Sequence, residues 1–129
     1  MPSRRRCPRC GSRRAASRYT LVSAKRNIID YVNWCDICKR DYNRDANLKV
    51  RYGITLAEYE EMLVAQDGKC AACGAAKGNV SRSDHFVVDH DHDTDEIRGL
   101  LCHGCNIAIG HLGDDPERAW NLIRYLLSR

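Results

Sequence analysis

Asp89-His90-Asp91-His92 is the segment of this sequence that holds the most chemistry. An unperturbed histidine titrates near ~6.5, so either imidazole can accept a proton close to neutral pH. Carboxylates can hold a hard divalent cation through oxygen. If the segment ends a strand, alternation sets Asp89 and Asp91 on one side and His90 and His92 on the other. One side would then bind a cation while the other presents a base to water, the two requirements of metal-assisted hydrolysis. The plainer reading of so acidic a stretch is a solvated loop. That reading suffices for Asp93, Asp95 and Glu96, and His85, His103 and His111 fit neither pattern.

The segment lies between Cys70-x-x-Cys73 and Cys102-x-x-Cys105, and a matching set, Cys7-x-x-Cys10 and Cys35-x-x-Cys38, stands near the N terminus. Together these are all eight cysteines. A disulfide framework has no need of one repeated spacing, whereas Cys₄ zinc sites are built from such pairs. Several pairings are open. Joining neighbours in sequence leaves 24 residues inside the first set and 28 inside the second, room for a hairpin in each. Two structural Zn²⁺ ions are therefore expected, their role being folding rather than catalysis. Such thiols persist in a reducing compartment. With no signal peptide and no apolar run of transmembrane length, the expectation is a cytoplasmic protein without a membrane partner.

What must position the histidines is a small α+β unit. Thr55-Leu56-Ala57-Glu58 has the form of a capping box opening a helix whose stripe is Leu56, Tyr59, Met62 and Leu63, stopped by Gly68. The stripe reads as core. Lys77 to Ser83 reads as loop, His85 to Asp89 and Ile97 to Leu101 as strands, and Cys102 to Leu112 as a helix ending at Gly113. Asp115-Pro116 starts a last helix with Ala119, Trp120, Ile123, Leu126 and Leu127 on one face.

Composition explains why metals are needed. With 43% hydrophobic residues and a mean hydropathy of −0.54, the chain has little core to build on. Its charge is divided. Residues 1–52 carry 14 basic and 4 acidic residues, a balance of +10, while 53–129 carry 7 and 13, a balance of −6. A basic half of this kind points to nucleic acid. Arg4, Arg5, Arg6, Arg9, Arg13, Arg14 and Arg18 crowd its first knuckle. Residues 7–38 read as a zinc ribbon, with strands at Ser17 to Ser23 and Asn27 to Trp34 turning at Ala24-Lys25-Arg26 and closed by the Cys35–Cys38 knuckle. A polar linker or short helix follows to about Arg51. The expected division is a basic DNA-binding unit over 1–51 and a second domain over 52–129.

Cys70-Ala71-Ala72-Cys73, Asp89-His90-Asp91-His92, Arg98-Gly99-Leu100-Leu101-Cys102 and Cys105-Asn106, in that order, resemble the phage-type recombination endonuclease VII family. That family belongs to the ββα-metal, or His-Me finger and HNH-like, nuclease superfamily. The resemblance runs from about Tyr52 to Leu127. It implies a zinc-stapled ββα-metal nuclease domain with flanking helices, preceded here by the Cys₄ ribbon. It also implies that His90 is the general base, that Asp89 and Asn106 hold one Mg²⁺ or Mn²⁺, and that His92 lies near the scissile phosphate. Cys70, Cys73, Cys102 and Cys105 would bind one zinc, and Cys7, Cys10, Cys35 and Cys38 the other. Arg98 is a candidate phosphate contact. Family-like cleavage leaves 5′-phosphate and 3′-hydroxyl ends.

The resemblance further implies action on branched DNA such as Holliday junctions, which needs paired nicks and hence a homodimer. The chain ends soon after Leu127, without a longer C-terminal region for dimerisation, so a nicking or nonspecific HNH-like endonuclease is the alternative. The rival of another class is a non-catalytic zinc-ribbon module that binds nucleic acid. It accounts for the cysteines and the basic half, but not for Asp89, His90 and Asn106 together. Cleavage specificity, oligomeric state and host are not legible in the sequence.

Overall fold

The computed structural model describes residues 4–15, 34–76 and 85–128. Among these are four helices and two two-stranded sheets, an α+β arrangement. The chain divides into two compact units, Met1–Leu56 and Ala57–Arg129. The division falls beyond residue 51 because the helix before it runs on to Tyr52, and the turn that follows is tied back when the Leu56 N–H donates to Asp45 Oδ1 at 2.8 Å.

In the first unit, strands β1 (Arg4–Arg6) and β2 (Arg13–Ala15) pair antiparallel on either side of the first knuckle, setting Arg5 opposite Arg14 and Arg6 opposite Arg13. The second knuckle closes the unit on the first, as expected, and opens a helix. Cys35 is the N-cap of α1 (Asp36–Tyr52). Of the expected linker or short helix the structure shows a helix, 17 residues long, which ends at Gly53, whose φ of 70° lets its N–H close on the Lys49 carbonyl. The expected strands over 17–23 and 27–34 lie outside the described residues except for Trp34, which is a bend. Trp34 is buried with Cys7, Cys35 and Cys38, and Ile37 and Tyr42 pack against them. The Arg9 guanidinium lies 4.3 Å from the Trp34 ring centre, in cation–π range.

The second unit contains most of α2 (Leu56–Ala65), then β3 (Val87–His90), β4 (Ile97–Leu101), α3 (His103–Leu112) and α4 (Pro116–Leu127). Its core is Tyr59, Phe86, Val88, Leu100 and Leu101 with Cys70 and Cys102. Two polar side chains lock the hairpin to α2 and the knuckle. The buried Tyr59 hydroxyl donates to the Phe86 carbonyl at 2.9 Å. The Gln66 amide donates to the Leu100 carbonyl and accepts from the Leu100 N–H, both at 2.9 Å. The first strand begins at Val87 rather than His85, the Phe86 carbonyl being taken by Tyr59.

The last helix starts where the sequence placed it. The Asp115 carboxylate caps it by accepting from the Glu117 and Arg118 N–H groups, and Pro116 is at its first turn. Its apolar side chains do not join the core: Trp120, Ile123, Leu126 and Leu127 are all exposed. Among the described residues no helix is long and apolar enough to cross a membrane.

Candidate active site and sulfur clusters

Each unit assembles its four cysteines in the same way. The first pair sits in a knuckle whose turn is completed by a glycine with φ near 70°, Gly11 in one unit and Gly74 in the other. The second pair opens a helix, with Cys35 or Cys102 as an extended N-cap. The N-cap amide donates to the first knuckle sulfur, Cys35 N–H to Cys7 Sγ at 3.3 Å and Cys102 N–H to Cys70 Sγ at 3.2 Å. Within each set all four sulfurs lie within 4.8 Å of one another. This settles the pairing in favour of sequence neighbours.

The spacing fits zinc. Tetrahedral Zn–S bonds of about 2.3 Å put sulfurs about 3.8 Å apart. The observed separations are 3.9 Å for Cys7–Cys38 and Cys10–Cys35 and 3.7 Å for Cys73–Cys102. No disulfide is present among these cysteines. The electrostatics suit thiolate ligands too. Burial would raise the Cys7 and Cys70 thiols, but backbone N–H donors outweigh it and bring each down to about 6. Burial and the neighbouring thiols instead push Cys105 up to about 12 and raise Cys38 as well, so protein donors alone do not stabilise four thiolates. A bound cation would supply that compensation.

The β3–β4 hairpin presents the Asp89–His92 segment beside the second cluster, with α3 packed on both strands. Pairing passes from Asp89↔Gly99 to His90↔Ile97, so Arg98 is the extra residue of a bulge. Bulges re-aim side chains. Here Arg98 turns onto Asp89, its Nε donating to Oδ2 at 2.8 Å and its Nη2 to Oδ1 at 3.1 Å. Nη2 also donates to Asp114 Oδ1 at 2.8 Å, and Asp114 Oδ2 pairs with His92 Nδ1. The two carboxylates hold Arg98 firmly protonated. Arg98 and then His92 in turn hold the Asp114 carboxyl below the usual carboxylate range. The His90 and His92 rings lie 4.9 Å apart, centre to centre.

Asp91 corrects the alternation argument. The strand stops at His90, and Asp91 closes the turn: its Oδ1 accepts from the Asp93 and Thr94 N–H groups at 2.8 and 3.0 Å. Those donors lower its carboxyl. Asp91 therefore does not stand beside Asp89 as a second cation ligand. Asn106 is half-buried in the first turn of α3, its N–H on the Cys102 carbonyl, while His85, His103 and His111 are exposed. Among the described residues the two Cys₄ sets are the clusters of three or more His, Cys, Asp or Glu that could hold a metal.

Asp89 is only 7% exposed, so Arg98 is what compensates its charge. Breaking a fully buried pair costs about 3–5 kcal/mol. The Arg98 side chain is 36% exposed, and Arg98→Met is therefore expected to destabilise the second unit by less, about 2 kcal/mol. Urea denaturation of the zinc-loaded variant measures this. Asp89→Asn/Arg98→Met, which removes the buried lone charge and leaves the more exposed Asp114 paired with His92, should recover part of the loss. Sequence reasoning took Arg98 as a candidate phosphate contact and missed Asp114 and Gln66, which belong to no spaced motif.

A family model for recombination endonuclease VII matches residues 45–128. The chain is 39% identical over 85 residues to Gene 59 protein of Mycobacterium phage L5, an alignment covering 65% of this chain and 50% of that protein. Its counterpart in Mycobacterium phage D29 is also 39% identical, over 83 residues, 64% of this chain and 48% of that one. The chain thus spans about half the length of the curated relatives it matches. No solved structure matches it.

Proposed function

Because this chain belongs to the recombination endonuclease VII family, we propose that it is a metal-dependent DNA endonuclease of the His-Me finger type with His90 as general base. The observation that supports this most is the meeting of β3, which ends in Asp89 and His90, with α3, whose first turn carries Asn106. A ring nitrogen of His90 takes the proton of a water whose oxygen attacks phosphorus in line. The P–O3′ bond breaks, leaving a 5′-phosphate and a 3′-oxygen that takes its proton from solvent.

Asp89 and Asn106 would hold one Mg²⁺ or Mn²⁺, and the donor set fits: hard carboxylate and amide oxygens, few in number, suit an ion that keeps most of its waters. Arg98 uses one acceptor position on each Asp89 oxygen, and each oxygen has a second. When bound, the ion supplies Lewis-acid stabilisation of the charge that develops on the phosphate and leaving oxygen. Arg98 and Asp114 keep Asp89 in place on the hairpin.

The first unit acts as the DNA grip, with Arg4, Arg5, Arg6, Arg13 and Arg14 on its hairpin. Like charges directly opposite in a ladder repel. Phosphates bound at Arg5–Arg14 on one face of the ladder, or at Arg6–Arg13 on the other, relieve that repulsion, and affinity falls steeply with salt. Arg9, stacked on Trp34, belongs to the frame of this surface.

The test is plasmid nicking by the zinc-loaded protein with Mg²⁺, with Mn²⁺ and with EDTA. Conversion of supercoiled to open-circular DNA is expected with either ion and not with chelator. DNA retention without cleavage in every lane would leave a non-catalytic binding module. A fixed four-way junction run beside a linear duplex of the same arms decides between a resolvase, acting as a homodimer, and a nicking enzyme.

A further inference from the structure

We propose that Asp114 is a positioning residue of the nuclease site, fixing the tautomer of His92 so that Nε2 is the ring nitrogen presented to DNA; this rests on the nuclease reading above. Asp114 follows Gly113, the C-cap of α3, and both residues have left-handed backbone, with φ of 55° and 66°. The left-handed region is costly for residues other than glycine, though aspartate and asparagine enter it most readily. The bend returns the Asp114 carboxylate to the hairpin, where one oxygen accepts from Arg98 Nη2 and the other pairs with His92 Nδ1.

The tautomer follows from the donor inventory. An ionised carboxylate only accepts, so the proton between Asp114 and His92 belongs to Nδ1. In the neutral ring Nε2 is then an acceptor, and in the charged ring a donor. The His92 side chain is 65% exposed, whereas Asp114 is 22% exposed and holds the inner edge of the ring. Through Arg98 the same carboxylate is linked to Asp89. One acidic side chain therefore sets two groups that flank His90.

Asp114→Asn is the informative variant. Asparagine tolerates the left-handed backbone, and its carbonyl oxygen can keep the Arg98 hydrogen bond. Its amide then faces His92 Nδ1 with a donor, which forces the other tautomer. The expected result is a kcat about 10–100-fold lower with KM nearly unchanged, the size typical of lost orienting partners. His92→Ala/Asp114→Asn should be no slower than His92→Ala alone, because Asp114 would act through that ring.

The readout that does not depend on activity is the ¹⁵N signature of His92 in the zinc-loaded protein without Mg²⁺. The Nδ1–H ring is expected in the wild type and the Nε2–H ring in Asp114→Asn. An Nε2–H ring in the wild type, or a fully active Asp114→Asn, would overturn the role of Asp114. A wild-type protein that shows the Nδ1–H ring but cuts no DNA would overturn the nuclease reading instead.

Discussion

His90→Ala is expected to cut DNA about 10²–10⁴-fold more slowly than the wild type, the range general-base catalysis contributes. The substitution should leave zinc content and DNA affinity nearly unchanged. His90 is the last residue of β3 and half-buried, on the hairpin rather than in either sulfur cluster. The strand itself is held by Val88 against the core and by Tyr59 through the Phe86 carbonyl, neither of which involves the imidazole. Single-turnover cleavage at saturating Mg²⁺ isolates the step, and filter binding at fixed salt gives the affinity. Wild-type cleavage by this variant would remove His90 from the mechanism. A parallel loss of affinity would make it a binding residue.

Cys102→Ser should have an effect of a different kind: the second unit should fail to fold. Structural zinc contributes an apparent ~10–16 kcal/mol at neutral pH, as much as or more than the ~5–15 kcal/mol total stability of an ordinary domain. The second unit has few buried apolar side chains with which to offset that loss. Serine is the right replacement because it retains the N-cap role. The Cys102 sulfur accepts from the Cys105 N–H at 3.4 Å, and a serine hydroxyl caps a helix at least as well. What is lost is the ligand. The first unit has its own cluster, so the variant should bind one zinc per chain instead of two. Two zincs and full cleavage in Cys102→Ser would contradict the idea that sulfur-bound metal holds the hairpin.

The elements that carry strong local signals were legible in the sequence. Asp115-Pro116 announces α4, and the strand read over Ile97 to Leu101 is found over those same residues, with a bulge at Arg98. The knuckles were legible from spacing alone. The full 17 residues of α1 were not, a linker or short helix being all the sequence offered, because the helix starts at a cluster cysteine rather than a serine or aspartate cap and its polar surface shows no apolar stripe. The strand-end alternation failed at a single residue. One bulge and the Asp91 turn take that carboxylate out of line with Asp89. Asp114 was invisible for a simpler reason: its role comes from tertiary contacts to residues 92 and 98, and no spacing rule records those.

The burial of the cysteines sets which sulfurs a reagent in solution can reach. In both clusters the second sulfur of the first pair, Cys10 or Cys73, is exposed, while Cys7, Cys35, Cys70 and Cys102 are buried. Attack on a thiolate tracks access as well as charge. Peroxide or a competing chelator would therefore meet each cluster first at that sulfur, Cys105 being partly shielded and Cys38 buried. Storage under reductant protects those two positions first.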